Sequence, residues 1–160
     1  MAQYAVLIAM EVVLSRFLSI NAWNLKIGFA FVPVAAAGLL YGPLPAGVIA
    51  AIADLIGSTL FPSGPFFPGF TLTAFLGGLL YGAMLHRRSA PVRVLACVLI
   101  RELCLSLLLN TLWISILYGS DFFALIAAGG RAFQCLGMIP VQFAVISLLA
   151  KPLLRHLKAA

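Results

Sequence analysis

The chain has 160 residues, of which 64% are apolar and only 9% charged, with a net charge of +6. Soluble domains run roughly 45–50% apolar and ~25% charged, so this composition excludes a soluble enzyme, a disordered tail and a coiled coil. Six spanning helices of ~20 residues fit this length with only short connections. No room remains for a soluble catalytic domain, or for the ten or more helices of a typical inverted-repeat transporter.

In chain order, the first apolar segment covers about 4–20 and is followed by a polar turn, NAWNLK (21–26). The start lacks a basic leader region, so no cleavable signal is expected. The second segment, about 27–41, stops at Gly42-Pro43-Leu44-Pro45, whose prolines predict a turn. The third covers about 46–61. PSGPFFPG (62–69) is too rich in proline and glycine for regular helix. The fourth covers about 70–85 and is followed by a basic turn from His86 to Arg93. The fifth covers about 94–118, a loop extends over 119–131, and the sixth covers about 132–149 before a basic tail. Backbone groups in lipid must be satisfied within the segment, and no period-2 alternation marks a barrel. The expected fold is therefore all-α: one domain over 1–160, an integral membrane bundle of six transmembrane helices.

Charge sets the expected orientation. Arg87, Arg88, Arg93, Lys151, Arg155 and Lys158 fall on one side, against Lys26 and Arg131 on the other. The excess of Lys and Arg marks the cytoplasmic side, so both termini are expected there, in a multi-pass protein of a prokaryotic-type plasma membrane. Much of the basic charge is thus topological, and no nucleic-acid partner is expected. His86 and His156 read the same way. Cys97, Cys104 and Cys135 lie in apolar stretches without a CxxC pair, so they are expected to be small buried residues rather than a disulfide or metal site. No metal or cofactor is predicted.

Five ionisable residues fall inside proposed spans: Glu11, Arg16, Asp54, Arg101 and Glu102. Each needs a partner, a cavity or an escape to the interface. Arg101 and Glu102 are neighbours, set ~100° apart on an α-helix, and so are not expected to pair. An interhelical pair of Arg101 with Asp54 or Glu11 is one expectation. A ligand role for Arg16 and Arg101 is the other, because guanidinium forks suit carboxylates.

A second polar group gathers near the outer end: Asn110, Thr111, Trp113 and Ser115 late in the fifth helix, and Thr71 and Thr73 early in the fourth. Phe66, Phe67 and Phe70 flank the proline-rich loop. These aromatics are either interface anchors or the wall of a pocket keyed by a few polar groups. Such a pocket suits a flat heteroaromatic ligand that carries carboxylates. No GxxxxGK[ST], HExxH or GxSxG is present, so the chain has no P-loop, zinc-protease or nucleophile-elbow motif. Small residues crowd the first three helices, Ala5 and Ala9 among them, and such faces let helices approach closely in lipid.

LSRFLSI (14–20), LKIGFAFVPVAAAGLLYGP (25–43), AGVIAAIADLIGSTLFPSGPFFPGFTLTAFLGGLLYG (46–82) and NTLWISILYG (110–119) resemble the folate-type substrate-binding S components of energy-coupling factor (ECF) vitamin transporters. The resemblance extends over about residues 4–142. It implies six helices, cytoplasmic termini and a vitamin pocket facing outside, capped by residues 21–26, 62–69 and 119–131. It also implies no enzymatic activity, a contact of Ala5 and Ala9 with a transmembrane coupling subunit, and two ABC-type ATPases that power import. The implied ligand is folate or a related pterin. Phe70 or Trp113 would stack on the pterin, Asn110 and a Thr would read its edge, and Phe67 and Thr71 belong to the same candidate site. Asp54 and Arg101 complete the candidate set, and Arg16, Lys26 or Arg131 would take the carboxylate tail. One stretch departs from the family pattern: Arg131 follows Ala-Ala-Gly-Gly, and Gln134 stands at the place of a family Lys. Three alternatives remain open: an S component for another vitamin or heterocycle, a small membrane enzyme using Asp54 and Glu102 as acid and base, and a purely structural assembly subunit.

Overall fold

The computed structural model describes residues 2–22, 25–62, 65–86, 90–127 and 130–159; the side chains of 20–22, 25–27, 125, 127, 130, 131 and 154–159 lie outside the description. Helix α1 covers Ala2–Arg16, and strands β1 (Ser19–Ala22) and β2 (Leu25–Gly28) follow it. Next come α2 (Phe31–Tyr41), α3 (Pro43–Leu60) and α4 (Pro68–Leu85). A continuous rod over 91–118 is built from α5 (Pro91–Ile100), a π-helical stretch (Arg101–Leu109) and α6 (Asn110–Tyr118). The short α7 (Phe122–Ala127) and the long α8 (Gly130–Ala159) complete the order.

The expected helical architecture is present, with three local corrections. The first segment does not remain helical to residue 20, nor does the second begin at 27. Ser19–Ala22 pairs antiparallel with Leu25–Gly28 in the register Ile20↔Ile27 and Asn21↔Lys26. The alternation Ser-Ile-Asn-Ala and Leu-Lys-Ile-Gly is a strand pattern that flanks the polar turn between two apolar segments. The prolines expected to mark turns instead begin helices: Pro43, Pro68 and Pro91 all stand in first turns, where a missing N–H costs nothing. The loop expected over 119–131 contains α7, and α8 runs helically past 149 through Lys151 and Pro152.

The rods alternate between two ends. At one, Phe17 meets Phe61 edge-on at 5.3 Å and Phe67 meets Trp113 at 5.6 Å. At the other, Tyr4 meets Tyr41 at 4.7 Å, and the Gly42 turn lies against His86. The core is formed by α2, α4, α5 and α8 through Leu39, Tyr81, Leu85, Val94, Val98 and Ile146. Helix α1 lies at the edge, with Leu7 and Ile8 packed against Ala37, Ala46 and Ile49. In lipid, helices associate through close packing rather than apolar burial, and small residues set how close they come. A Cβ on Gly82 would stand 2.2 Å from Pro43 Cα, and one on Gly78 would stand 2.4 Å from the Ala46 carbonyl oxygen. The α3–α4 crossing therefore requires glycine at both places. Gly42 (φ 91°) turns α2 directly into α3.

The bundle's outer surface is apolar: Val6, Phe17, Leu60, Val92, Phe133 and Leu148 are among its exposed side chains. Pro43–Leu60, Pro68–Leu85 and Ala132–Leu153 are each long and apolar enough to cross a membrane, and Phe31–Tyr41 is a shorter apolar helix. Cys97 and Cys135 are buried as expected. Cys104 is exposed instead, on the outward side of the π-helical stretch, where an apolar thiol meets lipid as readily as protein.

Candidate functional site

Two polar constellations interrupt this apolar bundle. The first lies at the end bearing residues 61–67. Trp113 Nε1 donates to Thr73 Oγ1 at 3.0 Å, and Thr73 Oγ1 donates to the Gly69 carbonyl oxygen at 3.1 Å. Phe67 lies 5.6 Å from the Trp113 ring and 6.2 Å from the Phe70 ring. The backbone comes close enough only because residue 69 lacks a side chain; a Cβ there would stand 2.5 Å from Trp113 and 2.6 Å from Phe67. Two residues along α4 from Gly69, Thr71 Oγ1 donates to Asp54 Oδ2 at 2.8 Å and ties α4 to α3. Arg16, the last residue of α1, reaches α3 at Gly57, one turn beyond Asp54. Phe67, Phe70, Thr71, Trp113, Asp54 and Arg16 are thus gathered toward one end of the bundle.

Asn110 is half-buried on the same rod and begins α6. Beside it, Thr111 is fully buried, and its hydroxyl has no hydrogen-bond partner among the described residues. The side chains of Lys26 and Arg131 lie outside the described residues. Ala5 and Ala9 are both exposed, on the side of α1 turned away from the bundle.

The second constellation lies deeper and corrects the pairing expected for Arg101. Arg101 Nη1 donates to Glu102 Oε1 at 2.7 Å, so Arg101 pairs with its own neighbour rather than with Asp54 or Glu11. Asp54 is held by Thr71 instead. The expectation that Arg101 and Glu102 stay apart fails mainly because the guanidinium is long enough to reach round the rod, and the helix that starts there also departs from α. Over Arg101–Leu109 it opens into wider i→i+5 turns, and the Asn110 N–H closes on the Leu105 carbonyl five residues back. Wider turns bring successive residues closer in angle, and the long guanidinium covers the remainder.

The same widening aligns the rod. In an unbroken α-helix Arg101 and Trp113 would project about 120° apart. Here both face α4, Arg101 beside Gly77 and Tyr81, Trp113 beside Gly69 and Thr73. Glu102 also accepts from Gln142 Nε2 at 2.7 Å, and Gln142 Oε1 accepts from Tyr81 OH at 3.1 Å. The Arg101 guanidinium carbon stands 5.4 Å from the Tyr81 ring centroid. Sequence reasoning overlooks Tyr81, Gln142 and Gly69. The signal for the first two is available, since a glutamine and a tyrosine inside apolar spans need partners. Gly69 carries none, because a glycine's neighbours are unknown until the fold brings them in.

An aromatic wall over hydroxyls and a deeper guanidinium suit a flat ligand with acceptors along its edge. The family model described as "ECF transporter, substrate-specific component" matches residues 1–151. The chain belongs to this family. The resemblance read from the sequence is thereby borne out. One relative is the folate transporter FolT of Clostridium novyi (strain NT), 44% identical over 120 residues, which are 74% of this chain and 70% of that protein. Another is the folate transporter FolT of Leuconostoc mesenteroides subsp. mesenteroides, 35% identical over 148 residues, covering 88% of this chain and 78% of that protein. A crystal structure of FolT bound with folic acid superposes with a TM-score of 0.90 at 35% identity, covering 96% of this chain and 94% of the other.

Proposed function

We propose that this chain is the folate-capturing subunit of an ECF-type vitamin importer. The observation that carries the proposal is the likeness to a FolT structure bound with folic acid over nearly the whole chain, with an aromatic–hydroxyl constellation at one end of the bundle. In this reading the single domain crosses a prokaryotic plasma membrane six times, with 91–118 as one span and both termini cytoplasmic. Phe67, Phe70 and Trp113 take the flat pterin. Asn110, Thr71 and Asp54 read its polar edge, and Arg101 serves the deep end. Arg16, Lys26 and Arg131 receive the carboxylate tail near the surface through charge-assisted bonds.

The subunit itself is no enzyme. An acid–base pair needs proximity, and the carboxylates of Asp54 and Glu102 are engaged by Thr71 on one side and by Arg101 and Gln142 on the other. Energy comes from partners: a transmembrane coupling subunit docking on Ala5 and Ala9, and two ABC-type ATPases. The exposure of both alanines supports that docking face. A second reading, an S component for a related heterocycle, is favoured by Gln134 at the place where the family pattern has a Lys.

The test is mass spectrometry of the small molecule that co-purifies with the detergent-solubilised protein, followed by titration of the emptied protein with folic acid. Folate, bound tightly by the isolated chain and transported only with the coupling module, is the expected result. A different heterocycle in its place supports the second reading.

A further inference from the structure

The Arg101 cluster is more elaborate than packing requires. Arg101, Glu102, Gln142 and Tyr81 form a closed ring: Arg101 donates to Glu102, Gln142 donates to the same carboxylate oxygen, Tyr81 donates to Gln142, and the Tyr81 ring lies against Arg101. Glu102, Gln142 and Tyr81 are all almost fully buried, whereas the Arg101 side chain keeps 29% of its surface. The Gln142 amide is locked in orientation, because its oxygen turned toward Glu102 would face a carboxylate and leave the Tyr81 hydroxyl without its acceptor. Two helices and the π-helical stretch thus converge on one guanidinium. Only Nη1 is used; among the described residues Nε and Nη2 have no partner. Apolar residues would fill such a place at lower cost, because buried ion pairs seldom stabilise a fold over a hydrophobic substitute.

We infer that Glu102 and Gln142 are positioning residues that turn Arg101 into a charge-neutral donor fork, one that takes an uncharged acceptor of the ligand rather than a carboxylate. The inference rests on the folate reading and deepens it. A lone guanidinium favours an anion. Once paired with Glu102 at 2.7 Å, the unit carries no net charge, yet it still presents N–H groups held in a fixed direction. Its complement is a ring carbonyl or ring nitrogen. A carboxylate brought to the same place would meet the Glu102 charge. This reverses, for Arg101 alone, the expectation that its fork receives the acidic tail.

The experiment titrates the purified full-length protein with folic acid and with the uncharged fragment 6-hydroxymethylpterin, for wild type, Glu102→Gln, Gln142→Leu and Arg101→Gln, with the melting temperature of each without ligand. The expected result is a loss of at least tenfold in affinity for both ligands in Glu102→Gln and of several-fold in Gln142→Leu. Neither substitution is expected to weaken binding further in the Arg101→Gln background. Tighter folic acid binding by Glu102→Gln, with the fragment unchanged, means that a carboxylate occupies Arg101 and overturns the inference. Unchanged binding of both ligands in Glu102→Gln and Gln142→Leu also overturns it. So does a loss that persists undiminished in the Arg101→Gln background, which marks a purely structural role. Should Glu102→Gln fail to fold, Gln142→Leu carries the same comparison. A wild-type protein that binds neither ligand overturns the folate reading instead.

Discussion

Replacing Gly69 with alanine tests the aromatic wall directly. The added Cβ would stand 2.5 Å from Trp113 Cδ2 and 2.6 Å from Phe67 Cε1. Carbon atoms rest at roughly 3.5–4.0 Å, so each ring has to withdraw by about 1 Å. Trp113 cannot do so and keep its 3.0 Å bond to Thr73. Losing that bond costs about 0.5–1.5 kcal/mol, and an off-rotamer ring adds about 0.5–1.5 kcal/mol. The expected loss is about 1–3 kcal/mol of ligand binding, or roughly 5- to 150-fold in Kd. The lost bond and the strained ring also burden the ligand-free fold, offset by up to about 1 kcal/mol that alanine gains over glycine in helix propensity. Calorimetric titration with folic acid, paired with a thermal melt of the ligand-free protein, separates the two effects. Thr73→Val removes the same bond without steric pressure and is expected to lose roughly 2- to 12-fold in affinity. A Gly69→Ala protein that binds folic acid within twofold of wild type refutes the assignment of Trp113 and Phe67 as the wall.

Three further outcomes are expected. Gly82→Ala drives a Cβ into the Pro43 backbone and is expected to lower the melting temperature in detergent by the equivalent of about 1–3 kcal/mol or more, as overpacking does; an unchanged melt contradicts the close α3–α4 crossing. Thr71→Val removes the donor to Asp54, a bond to a carboxylate contributing about 1.5–3 kcal/mol, and is expected to weaken folic acid binding at least fivefold. A matching loss in Asp54→Val, with no further loss in the double variant, checks that the two act as one unit. Ala5→Leu with Ala9→Leu adds bulk to the exposed side of α1. It is expected to leave folic acid binding by the isolated chain intact while abolishing co-purification with the coupling subunit, and retained assembly argues against that face.

Much of the site is legible in the sequence because lipid makes polar residues conspicuous. Asp54, Arg101 and Glu102 stand out in apolar segments, and the Phe67–Phe70 and Asn110–Trp113 strings are distinctive enough to carry a family resemblance. Pairing is less legible. Arg101 and Glu102 look incompatible on an α-helix, yet the reach of the guanidinium pairs them and Gln142 holds the shared carboxylate. The hairpin at 19–28 is hidden for a similar reason, since a four-residue alternation is easily absorbed into neighbouring apolar helix.

The amino-acid order alone determined that this is a helical chain with an apolar exterior and a small set of residues demanding partners. Those properties follow from composition and from the energetic penalty on unsatisfied groups in hydrocarbon, which act locally. Tertiary structure decided which partners those residues took: Thr71 for Asp54, Thr73 for Trp113, Gln142 and Tyr81 for the Arg101–Glu102 pair. Those choices depend on how closely glycine lets the helices approach and on how far one π-helical stretch turns a rod, and neither quantity is carried by any single residue.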